Sequence, residues 1–138
     1  MNAAVLVQGG EATITGGTIS TSAKGANAVV ATNKGSITIS DTIITSTSSG
    51  SARGLHSTFG GSISASKVSI STKGGSCATL ATDRREGKVI CTDCNLSTEG
   101  AGSPIIYSTG EISISNTKGT STGAQMVVVE GKNTAKCT

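Results

Sequence analysis

The sequence repeats with a period close to 25 residues, and this repeat limits the possible folds more than any other feature of the chain. An apolar residue within a short recurring string returns at intervals of 25, 25, 25, 26 and 22 residues, at Val5, Val30, Leu55, Leu80, Ile106 and Val128. Self-similarity at periods of about 20–50 residues is typical of solenoids and other repeat proteins. Because the repeat runs along residues 1–138, we expect a single domain.

Each period contains three short segments in which apolar and polar residues alternate. The clearest copy reads NAVVAT, SITIS and IITST from Asn27 to Thr47, with the short turns NKG and DT between the segments. Alternation with a period of two indicates strands, and no segment has an apolar stripe with helical spacing. The sequence therefore predicts an all-β, single-domain parallel β-helix (a solenoid), with about six coils of ~25 residues and three short strands per coil.

The register of the repeat predicts which side chains form stacked columns in the interior. For the first strand these are Val5, Val30, Leu55, Leu80, Ile106 and Val128. The second strand contributes two columns, Ala12, Ile37, Ile63, Val89, Ile112, Ala135 and Ile14, Ile39, Ala65, Cys91, Ile114, Cys137. The third strand contributes Ile19, Ile44, Ile70, Leu96 and Gly119.

Composition agrees with a narrow aliphatic interior. The chain has 21 Ser, 21 Thr and 19 Gly, but no Trp, one Phe, one Tyr and one Pro, which excludes a core built around aromatic side chains. Stacked β-branched residues can fill a narrow interior without aromatic rings. Charged residues make up only 14% of the chain, so it lacks the high charge that keeps disordered segments expanded.

Several classes of function are disfavoured. The net charge is +3 and forms no basic block, and aromatic residues for base stacking are almost absent, so we expect no nucleic-acid binding. No apolar run approaches the ~20 residues of a membrane span, so we expect no membrane insertion. The start of the chain lacks the basic and apolar parts of a signal peptide. Neither end of the chain has an obvious capping element, so we expect a module or fragment of a longer protein, or ends that stack on another chain.

The chain resembles a family, the right-handed parallel β-helix repeat proteins of the adhesin-like, bacterial cell-surface type. The resemblance covers nearly the whole chain and is carried by the strings Arg53–Leu55, Ala81–Arg84, Ser103–Gly110 and Glu130–Asn133. It implies the hand of the coil, an extracellular or cell-surface location and a structural or recognition role. It supplies no catalytic motif, and uncharacterised members of this type give no ligand.

The longest turn after a first strand is Asp83–Gly87, which has the sequence DRREG. With Phe59 expected on the coil below, Arg84 and Arg85 could bind a carboxylate or sulfated sugar through bidentate hydrogen bonds. The alternative is a solvated loop in which Asp83 and Glu86 pair with these arginines.

The outer face of the first strand is predicted to be unusually apolar and to include Ile105. A continuous apolar face on a soluble rod usually marks a covered surface. His56 and Tyr107, separated only by Ala81, would leave a notch about 10 Å wide for a small ligand. The alternative is that another copy of the chain, or another part of the parent protein, packs on this face.

The Cys91-x-x-Cys94 spacing raises the question of metal or redox chemistry. Cys77 and Cys137 fall in other columns or coils, so we expect neither a four-ligand zinc site nor any cofactor. We expect small buried thiols that fill the core, and a Cys91–Cys94 disulfide remains the alternative.

Carboxylates are expected to balance charges between coils, with Lys67 between Asp41 and Asp93, and Lys88 beside Glu111. This leaves no facing pair of acids for glycoside chemistry, so we expect no catalysis. The functional prediction is a non-catalytic extracellular recognition module that binds itself, a glycan or a protein. An ice-binding solenoid is one alternative, supported by the hydroxyl column Ser20, Thr45, Ser71, Ser97 and Thr120. A carbohydrate-active enzyme is the other.

Overall fold

The computed structural model describes residues 1–138, which form 17 strands joined by short turns. The first coil contains β1 (Ala3–Gln8), β2 (Glu11–Thr15) and β3 (Thr18–Thr21). The second and third contain β4 (Asn27–Thr32), β5 (Ser36–Ser40), β6 (Ile43–Ser46), β7 (Leu55–Thr58), β8 (Ser62–Ser66) and β9 (Ser69–Thr72). The last coils contain β10 (Leu80–Asp83), β11 (Lys88–Thr92), β12 (Asn95–Thr98), β13 (Ile106–Ser108), β14 (Glu111–Ser115), β15 (Lys118–Ser121), β16 (Val127–Val129) and β17 (Thr134–Cys137).

Equivalent strands of successive coils pair in parallel and build three sheets. The first sheet has the order β1-β4-β7-β10-β13-β16, the second β2-β5-β8-β11-β14-β17, and the third β3-β6-β9-β12-β15. The predicted parallel β-solenoid with three strands per coil is confirmed. Five coils are complete and a sixth has only its first two strands, so the expected count of about six is slightly high. No helix in the structure is long and apolar enough to span a membrane.

The second and third sheets have the predicted register in every coil. The columns that start at Ala12 and Ile14 pair residue by residue as expected, and so does the column that starts at Ile19. In the middle coils these residues form the hydrophobic core, with Ile37, Ile63 and Ile112 no more than 1% exposed. Branched side chains lying one above another therefore fill the interior without aromatic rings.

The first sheet departs from the predicted register at two places. Val29, and not Val30, pairs with Val5 and Leu55, and Val127, and not Val128, pairs with Ile106. Both errors fall in runs of consecutive apolar residues, where alternation does not distinguish the inner face from the outer. The predicted register is shifted by one residue at both places, so the prediction assigned these side chains to the wrong face of the sheet.

One residue with a left-handed backbone makes the corner between the second and third sheets. It is Asp41, Lys67, Asp93 or Asn116 in successive coils, with φ values of 52°, 52°, 57° and 44°. Asn and Asp tolerate this conformation better than Lys does, because their short polar side chains can bond locally. The Asn116 amide donates a hydrogen bond to the Asp93 carboxylate.

The expected charge balance between coils holds for one of the two predicted lysines. Lys88 Nζ lies 2.9 Å from Glu111 Oε1, as predicted. Lys67 forms no ion pair with Asp41 or Asp93 within 4.0 Å, although all three occupy the same corner column. Exposed lysine side chains gain little from such pairing, because water screens the charges and ordering the side chain costs entropy.

Cys91 and Cys94 form a disulfide, so the expectation of two free core thiols is wrong. Cys91 lies in an inner column, and the left-handed turn at Asp93 directs the chain so that Cys94 also faces the interior, 6.1 Å away between Cα atoms. Cys137 is free and exposed, and Cys77 is free and buried. Burial raises the pKa of the Cys77 thiol, which donates to the carbonyl oxygen of Gly75 at 3.1 Å.

Candidate functional site

The turn Asp83–Gly87, here called the arginine loop, joins β10 to β11 and has an unusual backbone. Arg84, Arg85 and Glu86 all have positive φ values, of 43°, 57° and 62°. Each such residue costs roughly 1–2 kcal/mol relative to an ordinary backbone conformation, and consecutive examples are rare outside glycine. Strain of this kind persists only where surrounding structure enforces it, and it is concentrated at functional sites.

Backbone hydrogen bonds from the coil below hold the arginine loop in place. The amide of Phe59 donates to the Arg84 carbonyl at 2.8 Å, and the amide of Gly60 donates to the Glu86 carbonyl at 2.9 Å. The Thr58 hydroxyl also donates to the Arg84 carbonyl, at 3.1 Å. The backbone of the loop is therefore fixed at Arg84 and Glu86, and three of its four charged side chains, Arg84, Arg85 and Glu86, remain exposed.

Phe59 lies beside this loop, as the sequence analysis predicts. The guanidinium carbon of Arg85 is 5.9 Å from the centroid of the Phe59 ring, within the range of a cation–π contact worth about 0.5–1 kcal/mol at an exposed site. This contact orients Arg85 without neutralising its charge. Its guanidinium hydrogen atoms stay available to an external acceptor.

The acids of the arginine loop do not neutralise its arginines, contrary to the alternative of local pairing. Asp83 instead lies 3.7 Å from Arg53, which precedes β7 on the coil below. The other ion pairs in the structure are Lys73–Glu99 and Lys88–Glu111. Arg84 and Arg85 therefore present two neighbouring cations that have no carboxylate within 4.0 Å.

The outer face of the first sheet carries the predicted neighbours His56, Ala81 and Tyr107 in one column. Val30 completes this column on the other side of His56. The predicted open notch is absent, because Val30, His56 and Ala81 are at most 1% exposed within a single chain. Arg53, just before β7, forms an ion pair with Asp83 at the end of β10, and the charges of both residues act on His56.

Ile105 was predicted on this outer face, and the structure corrects this. Ile105 is 1% exposed and belongs to the core cluster, where its side chain faces Gly119 of the third sheet. The chain bends just before β13, so Ile105 and Ile106 both point inward instead of alternating. Ile105 is therefore not available to a partner.

His56 is buried without a hydrogen bond at either ring nitrogen. Burial lowers the pKa of its imidazole to about 4, and the charge of Arg53 acts in the same direction. His56 is therefore neutral at pH 7. Tyr107 donates a hydrogen bond to Glu130 at 2.8 Å, and this bond is the main reason why the pKa of its phenol is raised.

A polar cavity of about 460 Å³ lies next to the arginine loop, at the turns between the first and second sheets. Its lining includes Glu86, the Lys88–Glu111 ion pair, Lys132 and Asn133, and contains no hydrophobic residue. Nowhere in the structure do three or more His, Cys, Asp or Glu side chains form a group that could hold a metal ion.

Sequence reasoning missed Arg53 and a second hydroxyl surface. Arg53 meets Asp83 across 30 positions of sequence, and no local motif marks such a contact. The outer face of the second sheet has a column made only of hydroxyl residues, namely Thr15, Ser40, Ser66, Thr92, Ser115 and Thr138. The neighbouring column, Thr13, Thr38, Ser64, Ile90, Ser113 and Lys136, is broken only by Ile90 and Lys136. In the sequence this face looks interrupted by charged residues, but Glu11, Lys88 and Glu111 fall in a third outer column beside these two.

Comparisons with family models, with curated proteins and with solved structures gave no match to this chain.

Proposed function

We propose that this chain is a non-catalytic recognition module that binds an anionic group of a surface glycan or protein through the arginine loop. The observation that carries the proposal is the pair of exposed guanidiniums at Arg84 and Arg85, held on a fixed backbone and without carboxylate partners. Planar cations on two consecutive exposed residues suit carboxylate or sulfate groups, which a guanidinium can bind through paired hydrogen bonds.

An extracellular, adhesin-like setting is part of this proposal. The Cys91–Cys94 disulfide supports it, because disulfides persist mainly in oxidising compartments. A rigid stack of coils also suits a module that presents one loop at a fixed position. Self-association through the outer face of the first sheet loses support, because His56 and Ala81 are already covered within one chain. Sedimentation of the chain at high concentration tests whether any self-association remains.

Retention on an immobilised sulfated polysaccharide tests the proposal. The double variant Arg84→Gln/Arg85→Gln is compared with Lys118→Gln/Lys136→Gln, which removes the same charge from a distant part of the surface. We expect the arginine variant to elute at clearly lower salt than the wild-type chain, and the lysine variant to elute close to it. An equal shift for both variants would indicate general charge attraction and would contradict the proposal.

The non-catalytic part of the proposal has its own test. Wild-type chain is incubated with a panel of polysaccharides, and any released products are separated and detected. No product is expected. Product release that Asp83→Asn/Glu86→Gln abolishes would instead support a carbohydrate-active enzyme.

A second candidate function, ice binding, is favoured by the hydroxyl columns on the outer face of the second sheet. Their hydroxyls repeat about every 4.8 Å between coils and about every 6.6 Å between alternate residues of a strand. Such an array can hold water in a regular pattern. Ser64 lies near the centre of this face, so Ser64→Lys should abolish any faceting of ice crystals, while Ser71→Lys on the third sheet should not. Unfaceted growth with the wild-type chain would exclude this candidate.

A further inference from the structure

A small pocket on the outside of the first sheet contains an arginine whose hydrogen-bonding capacity is largely unused. The pocket has a volume of about 240 Å³ and is lined by Arg53, Tyr107, Ser51, Ser76 and Pro104, among others. It is separate from the cavity at the arginine loop, with which it shares no lining residue.

The guanidinium of Arg53 is mostly buried but poorly paired. Its side chain is 17% exposed, and Nη1 donates one long hydrogen bond, 3.4 Å, to the carbonyl oxygen of Ser51. Nη2 lies 3.7 Å from Asp83 Oδ2, beyond hydrogen-bond distance. A guanidinium has five N–H donors in a planar fork, so four of them have no acceptor in the protein.

A second observation points to the same place. His56 lies one coil below Ala81 in the column that leads to Tyr107, and both of its ring nitrogens are buried without partners. Buried polar atoms without hydrogen bonds are rare in native proteins and call for a specific explanation. His56 does not line the pocket, but the charge of Arg53 acts on its imidazole, so these unpaired nitrogens lie near the arginine that does line it. Polar groups without partners in the protein therefore occur both in the lining and close to it, which is typical of a site arranged for a ligand.

The shape and chemistry of the lining suggest what such a ligand would be. Two hydroxyl residues, Ser51 and Ser76, occupy equivalent left-handed turn positions in successive coils, with φ values of 62° and 56°. The Tyr107 ring and Pro104 supply a small apolar surface. The volume is below the ~300–1,000 Å³ of sites for drug-sized ligands, and the pocket lacks the extended edge that a peptide strand would need. One sugar ring fits these features.

We propose that this pocket binds a single sugar acid, with Arg53 holding its carboxylate, Ser51 and Ser76 bonding its hydroxyls, and Tyr107 packing on its ring. The site goes beyond the proposed function, because it uses different residues and names a ligand class. It does not depend on the arginine loop.

The composition of the chain gives this pocket its own optical probe. Tyr107 is the only tyrosine and the chain has no tryptophan, so tyrosine fluorescence reports on this pocket alone. Titration of the full chain with sodium glucuronate should change this fluorescence in a saturable way. Glucose has the sugar hydroxyls but no carboxylate, and acetate has the carboxylate but no sugar ring. Both should bind at least tenfold more weakly than glucuronate.

Variants separate binding in this pocket from general charge attraction. Arg53→Gln should weaken glucuronate binding at least tenfold, because a charge-assisted bidentate contact is lost. Lys118→Gln, which removes a charge from the third sheet and lies in the lining of neither pocket, should leave it unchanged. Ser76→Gly gives the turn the residue that Gly102 provides in the next coil, so it removes the hydroxyl without strain and should weaken binding severalfold.

The Ser76→Gly variant also keeps the test informative if Arg53→Gln fails to fold, which circular dichroism would reveal. Four results would overturn the proposal. They are no saturable response of the wild-type chain, equal affinity for acetate, full binding by folded Arg53→Gln, and full binding by Ser76→Gly. The last two would place any binding elsewhere, and equal affinity for acetate would indicate a site for small anions only.

Discussion

The first and second sheets are built from the same repeat, yet they differ in what their outer faces meet. In the second sheet the outer residues Thr38 and Ser64 are exposed to water, and the inner residues Ile37 and Ile63 are buried. In the first sheet the outer residues Val30 and His56 are as buried as the inner ones. Alternation in the sequence therefore reveals the register of a strand only where one face of that strand is exposed to water.

The difference also has a chemical consequence. On the exposed outer face of the second sheet, the side-chain hydroxyls can form hydrogen bonds with water. The covered face of the first sheet contains a neutral histidine without hydrogen bonds, and beside it lies a mostly buried arginine that makes one long hydrogen bond. Polar groups removed from water without partners cost free energy, so this region is less optimised for stability than the regular one.

The largest change in stability is expected from a substitution on the inner face of the second sheet, compared with one on its outer face. Ile63 is 1% exposed and Ile90, on the neighbouring strand, is 36% exposed. Ile63→Ala removes packed methyl groups from a core without room to collapse, so the free energy of unfolding should fall by about 2–5 kcal/mol. Ile90→Ala should change it by less than about 0.5 kcal/mol. Denaturant unfolding of both variants checks this, and similar losses would contradict the assignment of faces.

The next effect concerns the covered face of the first sheet and depends on pH. The imidazole of His56 has a pKa of about 4 in the fold and 6.5 when unfolded, so between these values only the unfolded chain binds the proton. Stability therefore falls as the pH is lowered from about 6.5 to 4, by up to about 3 kcal/mol. Denaturant unfolding across this range should show the loss.

The control for this prediction is His56→Leu, which keeps a buried side chain but cannot take up a proton. Its stability should be nearly constant between pH 6.5 and 5, and at pH 7 it should equal or exceed that of the wild-type chain, because the unpaired nitrogens are gone. Since His56 is the only histidine, its NMR titration can be followed directly. A wild-type midpoint near 6.5 would show that the face is open to water.

The smallest effect concerns the corner that joins the second and third sheets. Lys67 has the left-handed backbone that its column otherwise gives to Asp41, Asp93 and Asn116. Lys67→Asn should raise the free energy of unfolding by up to about 1 kcal/mol, because Asn tolerates this conformation better. The reverse change, Asn116→Lys, should lower it by a similar amount. Opposite signs from thermal unfolding would rule out backbone strain at Lys67.

Prediction from sequence succeeded where physical constraints repeat from coil to coil. The column of Ile37 was predicted correctly because this residue lies between Ser36 and Thr38, on a strand with one face exposed to water. The column of Ile44 was predicted correctly because the neighbouring coils repeat the same alternation around Ile19 and Ile70. Prediction failed at Val30 and at Ile105, where the neighbouring residues are also apolar. At Val30 the outer face of the strand is covered, and at Ile105 the chain bends, so the alternation of polar and apolar residues is lost. The arginine loop was recognised because its length and charge stand out locally.

The amino-acid sequence is enough to predict the solenoid fold, its three sheets and the stacking of aliphatic residues. A period of about 25 residues with two-residue alternation allows few other arrangements. The folded structure is needed to show that Cys91 and Cys94 are joined, that Asp83 lies near Arg53, and that His56 is buried. These outcomes depend on which side chains meet across coils or around a corner. Contacts of that kind are set by turn geometry and packing in three dimensions, which no local pattern encodes.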